Sequence, residues 1–155
     1  MTHEDWMRRA IALSLDSVAL GGGPFGAVIV KDGAIIGEGA NRVTCDNDPT
    51  AHAEMLAIRT AARRLADFSL AGAEIYTSCE PCPMCLGAIY WSHLDRIWIA
   101  NTRDDAAAIG FDDRHIYNQL ALPPSKRAVP MRRLLSEEGA RAFAAWREKP
   151  DKAPY

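Results

Sequence analysis

Two short motifs separated by about thirty residues have to meet in any fold this chain adopts. His52-Ala53-Glu54 opens one helix-like stretch and Glu80-Pro81-Cys82-Pro83-Met84-Cys85 opens another. A Cys-x-x-Cys at a helix start aims two sulfurs at one point, where the positive end of the helix favours their thiolates. Residues two apart on an ideal helix diverge by about 200°, so His52 and Glu54 share a pocket only near a helix end. One imidazole and two thiolates are donors that zinc prefers, and three protein ligands leave a fourth position open. His52, Cys82 and Cys85 are therefore the expected ligands of one Zn2+, with Glu54 beside the open position as proton acceptor and donor. A Cys-x-x-Cys alone also suits redox chemistry, and a His-x-Glu alone suits a helix surface. Both together, each at a strand-to-helix junction, favour catalytic zinc. The competing arrangement is a closed structural site with Cys79 as fourth ligand, in a module that binds rather than catalyses. Cys79 ends an expected strand and reads instead as a small packed residue.

The rest of the pattern supplies the frame. Met7, Ile11, Leu15 and Val18 mark one face of a helix over 4–20, stopped by Gly21-Gly22-Gly23-Pro24. Strands follow at 25–30 and 34–37 around the hairpin signal Lys31-Asp32-Gly33. A polar loop over 44–49 leads to a helix over 51–65, with Asp48-Pro49-Thr50 as its expected cap. A strand at 73–77, a helix at 83–91, a strand at 96–100, a loop and a helix over 112–120 come next. After the break at Leu122-Pro123-Pro124-Ser125, a strand near 129–134 and a helix over 137–147 complete the chain. Alternating helices and strands predict a three-layer α/β/α sandwich around a mixed central sheet, in a single domain spanning 1–155.

Composition narrows the function. Eighteen Lys and Arg against twenty Asp and Glu give a net charge of −2, which argues against a nucleic-acid surface built on phosphate neutralisation. At 155 residues and 48% apolar, the chain can bury a core without a disulfide or metal staple. Three of its four cysteines fall within seven residues, so Cys45, Cys79, Cys82 and Cys85 do not form a disulfide framework. No apolar run reaches the length of a membrane span. Glu4, Asp5 and Asp16 around Arg8-Arg9 argue against an export signal, so a cytoplasmic protein is expected. Gly21-x-Gly23-x-x-Gly26 follows a helix and precedes a strand, the reverse of a dinucleotide site. His3, His93 and His115 have no ligand partners at metal spacing, and Cys45 has no assigned role.

His-x-Glu followed by Pro-Cys-x-x-Cys is the known signature of zinc nucleobase deaminases. From Gly23-Pro24-Phe25-Gly26-Ala27-Val28 through His52-Ala53-Glu54 to Thr77-Ser78-Cys79-Glu80-Pro81-Cys82-Pro83-Met84-Cys85, the chain resembles the cytidine deaminase-like superfamily. Asn41, Ala88-Ile89-Tyr90-Trp91, Ala108-Ile109-Gly110-Phe111-Asp112-Asp113, Ala144-Ala145-Trp146-Arg147 and the terminal Tyr155 make it look, more narrowly, like the small bacterial guanine deaminases.

That resemblance implies zinc-dependent hydrolysis of guanine to xanthine and ammonia, a step of purine catabolism with a free base as the partner molecule. It implies a proton-transfer or base-holding role for Asp113, whose alternative is an N-cap or first-turn acid. It implies base contacts from Asn41 and the Ala53 backbone amide, and aromatic walls from Phe25 and Trp91. It implies a homodimer whose C-terminal segment, about 130–155, is exchanged so that Tyr155 closes a partner's site. The alternatives are a tRNA adenosine deaminase, disfavoured by the charge and by Gly110-Phe111-Asp112-Asp113, or a cytosine or triazine deaminase.

Overall fold

Asp32 (φ 51°) and Gly33 (φ 75°) turn the chain between β1 (Gly26–Lys31) and β2 (Ala34–Ala40). Two successive positive φ values make the tight turn whose twist matches flanking antiparallel strands. β1 also pairs antiparallel with β3 (Ala73–Cys79), which pairs in parallel with β4 (Arg96–Asn101), so the mixed sheet runs β2-β1-β3-β4. Parallel neighbours need a crossover, and α4 (Pro83–Trp91) provides it. The computed structural model describes residues 1–155.

Side chains alternate across the strands and so build two cores. On one face Val28, Val30 and Tyr76 meet Ala10 of α1 (His3–Ala19), with Trp6, Met7 and Leu13 packed beside them. On the other, Ala27, Ile29 and Ile75 meet Ala53, Ala57 and Ala61 of α3 (Ala53–Leu65) and Ile89 of α4. Helices on both faces of a mixed sheet give the expected three layers. Alanines and glycines let the layers close tightly. A Cβ at Gly39 would lie 2.1 Å from the Ala53 carbonyl oxygen, so β2 directly fixes where α3 begins.

The chain divides into two units, Met1–Asp113 and Arg114–Tyr155. The first also contains the single turn α2 (Val43–Asp46) and α5 (Arg103–Ala108), both within stretches expected to be loop. α5 starts with a reciprocal cap between Thr102 and Asp105. In the second unit, α6 (Arg114–Ala121) and α7 (Ser136–Glu148) flank a short 3-10 turn at Pro124–Lys126. The strand expected near 129–134 does not form. Pro130 stands in its middle without an N–H, and proline is excluded from paired strand interiors. No helix is long and apolar enough to cross a membrane.

Candidate active site

Register brings the motifs to one end of the sheet. Ala40, closing β2, lies opposite Gly26, which opens β1, while Ala27 pairs with Thr77 near the end of β3. Asn41 follows β2 directly, and α4 begins soon after Cys79. His52 is the N-cap of α3 and Cys82 the N-cap of α4, both in extended backbone conformation. Neither side chain caps its own helix, which leaves imidazole and thiol available to each other. Asp48, expected to cap α3, instead bonds the backbone N–H and hydroxyl of Thr50 at 2.8 and 2.7 Å. It shapes the turn that delivers His52. Pro83 takes the first turn of α4, where its missing N–H costs nothing, and Cys85 follows on that turn.

His52 Nδ1 lies 3.5 Å from Cys82 Sγ and 3.5 Å from Cys85 Sγ. The three donor atoms all fall within 4.8 Å of one another. Zinc–nitrogen and zinc–sulfur bond lengths on a tetrahedron place such donors roughly 3.6 Å apart, so the trio fits zinc as it stands. Cys79 is not part of the trio. Its sulfur bonds the Thr102 carbonyl at 3.5 Å, and burial pushes its thiol up to about 11. That favours the open three-ligand site over the closed one.

The three donors perturb one another. The hydrogen bond from Cys85, with a further bond to His52, holds the Cys82 thiol down to about 4. Cys85 moves the opposite way, because it gives its proton to the Cys82 thiolate and is itself buried. His52 is raised by its bond to Cys82.

Glu54 sits in the first turn of α3, buried, with Oε2 3.5 Å from Cys85 Sγ. Burial raises its pKa above the usual carboxylate range, as suits a group that takes and returns a proton near neutral pH. Asp113 is half-buried and also raised, by desolvation first, with the Cys82 and Glu80 charges adding and Arg103 opposing.

Residues 1–101 match the cytidine and deoxycytidylate deaminase zinc-binding region. The chain belongs to that family. It is 50% identical over the full length of both chains to the guanine deaminase of Bacillus subtilis. It superposes on that enzyme's X-ray structure with a TM-score of 0.96, covering 100% of this chain and 99% of the other. A guanine deaminase from Nitrosomonas europaea gives 0.69 at 31% identity, over 90% and 73% of the two chains. The tRNA-specific adenosine deaminase of Haemophilus influenzae is 41% identical over 71% of this chain and 67% of its own.

The other expected site residues are placed unevenly. Ala53, fully buried, opens α3 directly after His52. Asn41 is buried, and its Oδ1 accepts from the amides of Gly23 and Val43, each at 3.2 Å. Phe25 packs edge-on against Phe111, with ring centroids 4.9 Å apart. It also lines a cleft of about 240 Å³ with Pro24, Cys79, Asn101 and Ile109. Trp91 ends α4 and is 65% exposed. Tyr155 lies in the second unit, 74% exposed. Sequence reasoning missed Phe111 as the partner of Phe25, although it stands in the Gly110-Phe111-Asp112-Asp113 segment. It also missed α5, which the Thr102-x-x-Asp105 spacing could have revealed.

Proposed function

We propose that the protein hydrolyses guanine to xanthine and ammonia, with His52, Cys82 and Cys85 holding one zinc ion per subunit. The observation that carries this reading is a buried acid, Glu54, 3.5 Å from a sulfur of a zinc-shaped trio. Bound zinc supplies a water acidic enough to act near neutral pH. With zinc held there, Glu54 would take a proton from the water that attacks the amino-bearing ring carbon and return it to the adjacent ring nitrogen. Asp113 assists the second proton transfer to the departing amine or holds the guanine edge. Ammonia leaves and the oxygen remains as the new carbonyl, so water and guanine balance xanthine and ammonia.

Binding follows from the groups that line the approach. With Asn41 Oδ1 held by two backbone N–H groups, its NH2 end is the donor turned to a base acceptor. The Ala53 N–H gives a second donor, while Phe25 and Trp91 offer flat faces. Full-length likeness to a guanine deaminase supports a free purine over an anticodon arm, as does the net charge of −2. The exposed apolar side chains of the second unit, Phe143 and Tyr155 among them, support a homodimer whose C-terminal segment is exchanged so that Tyr155 reaches a partner's site. We place the enzyme in the cytoplasm, where free guanine is met.

Glu54→Gln tests the assignment. Zinc content should stay at one per subunit while xanthine formation falls by about 10²–10⁴-fold. Turnover close to that of the parent protein would remove Glu54 from the chemistry.

A further inference from the structure

Two serines on α1 are buried and behave differently. The Ser14 hydroxyl bonds back to the Ile11 carbonyl at 2.7 Å, the local bond usual for serine inside a helix. The Ser17 hydroxyl leaves its helix. It lies 2.7 Å from the carbonyl of Gly23 and 2.8 Å from that of Asn41, so one proton is shared between two segments far apart in sequence. Ser17 is only 2% exposed.

The two carbonyls belong to segments that are themselves joined. Gly23 N donates to Asn41 Oδ1 at 3.2 Å, and Asn41 N donates to the Phe25 carbonyl at 3.0 Å. The Ser17 carbonyl accepts from Gly22 N at 2.8 Å. Space is as constrained as bonding. A Cβ at Gly22 would come within 2.5 Å of both Ser17 Oγ and the Asn41 carbonyl oxygen. Only a residue without a side chain passes through this junction.

We propose that Ser17 is a positioning residue for the base. Its hydroxyl clamps the Gly23–Phe25 segment to Asn41, so that the Asn41 amide keeps its oxygen toward Gly23 and Val43 and its NH2 end toward the substrate. The proposal rests on Asn41 meeting the base. A donor held in one orientation discriminates between bases, because an analogue with a donor at the same place leaves a buried group unpaired. Ser17 touches neither substrate nor metal. It acts through the orientation of the Asn41 amide.

The test is a double-mutant cycle on full-length zinc enzyme, with guanine as substrate. Ser17→Ala should raise KM about five- to tenfold, hold kcat within about twofold and leave zinc content unchanged. Ser14→Ala, which removes only a local bond, should leave KM unchanged. Gly22→Ala, pushing the same junction from the loop side, should raise KM as Ser17→Ala does. In an Asn41→Ala background, already raised in KM, adding Ser17→Ala should change nothing further. An unchanged KM in Ser17→Ala, or an equal further rise in the Asn41→Ala background, overturns the proposal. If Asn41→Ala alone leaves KM unchanged, the premise about Asn41 is what fails, and the proposal falls with it.

Discussion

The two units of the chain spend their apolar residues in opposite ways. In Met1–Asp113, both faces of the sheet are covered and side chains such as Ile29, Ile75 and Tyr76 are almost wholly buried. In Arg114–Tyr155, neither α6 nor α7 buries a residue, although Ile116 and Leu120 on one and Phe143 and Trp146 on the other are large and apolar. All three zinc donors lie in the packed first unit. The His52, Cys82 and Cys85 donors are fixed by β2, β3 and the two helix starts of the first unit, all tied to a packed core. The second unit has no core of its own.

The largest effect that would break this contrast is loss of the metal. Cys82→Ser leaves two strong donors of three, so zinc content measured on the purified protein should fall well below one per subunit and turnover with it. A variant that keeps full zinc would show that the ligand set is misassigned. Removing residues 151–155 should act on the other side of the contrast. Guanine turnover should drop at least tenfold while zinc content and melting temperature hold, as the proposed exchange of the C-terminal segment implies. Equal activity after truncation would detach Tyr155 from the site. Cys79→Ser sharpens the boundary within the first unit. Its sulfur bonds a carbonyl rather than facing the trio, so zinc and turnover should both persist; zinc loss would restore the closed four-ligand site.

The smallest effect concerns stability. Arg9 forms two bonds to Glu38, at 2.8 and 2.7 Å, and its guanidinium holds the Glu38 carboxyl below the usual range. A depressed folded value stabilises the protein above the unfolded carboxyl's own pKa and loses that contribution as pH falls through the folded value. Both side chains are more than a third exposed or nearly so, which limits the pair to less than about 1 kcal/mol. Glu38→Gln should therefore lower the melting temperature by no more than about 2–4 °C at pH 7. The difference should close in acid; a difference that persists well below the carboxylate range would assign it to packing instead.

Most of the first unit was legible because its signals are periodic. The stripe Met7, Ile11, Leu15 and Val18 placed α1, but the helix packs through Ala10, Leu13, Ser14 and Ser17 while Ile11, Leu15 and Val18 stay exposed. Lys31-Asp32-Gly33 marked a hairpin that the structure turns on Asp32 and Gly33. The zinc trio was legible because metal ligands impose residue type and spacing together. What escaped was not periodic. α5 depends on one capping pair, and α2 is a single turn. The strand read near 129–134 came from its apolar residues, whereas Pro130 denies the ladder a donor. Ser17 carries no signal in the sequence, since nothing in the chain order says that its hydroxyl meets Gly23 and Asn41. Tertiary hydrogen bonds of that kind become visible only when the strands are in register.

The most direct measurement is ammonia release from guanine, adenine, cytosine and an anticodon-stem RNA, assayed side by side with the zinc-loaded protein. Guanine should yield ammonia and xanthine one for one, at a rate far above the other three. Release from the RNA with none from guanine would contradict the account and move the activity to the tRNA adenosine deaminases that share its zinc-binding region.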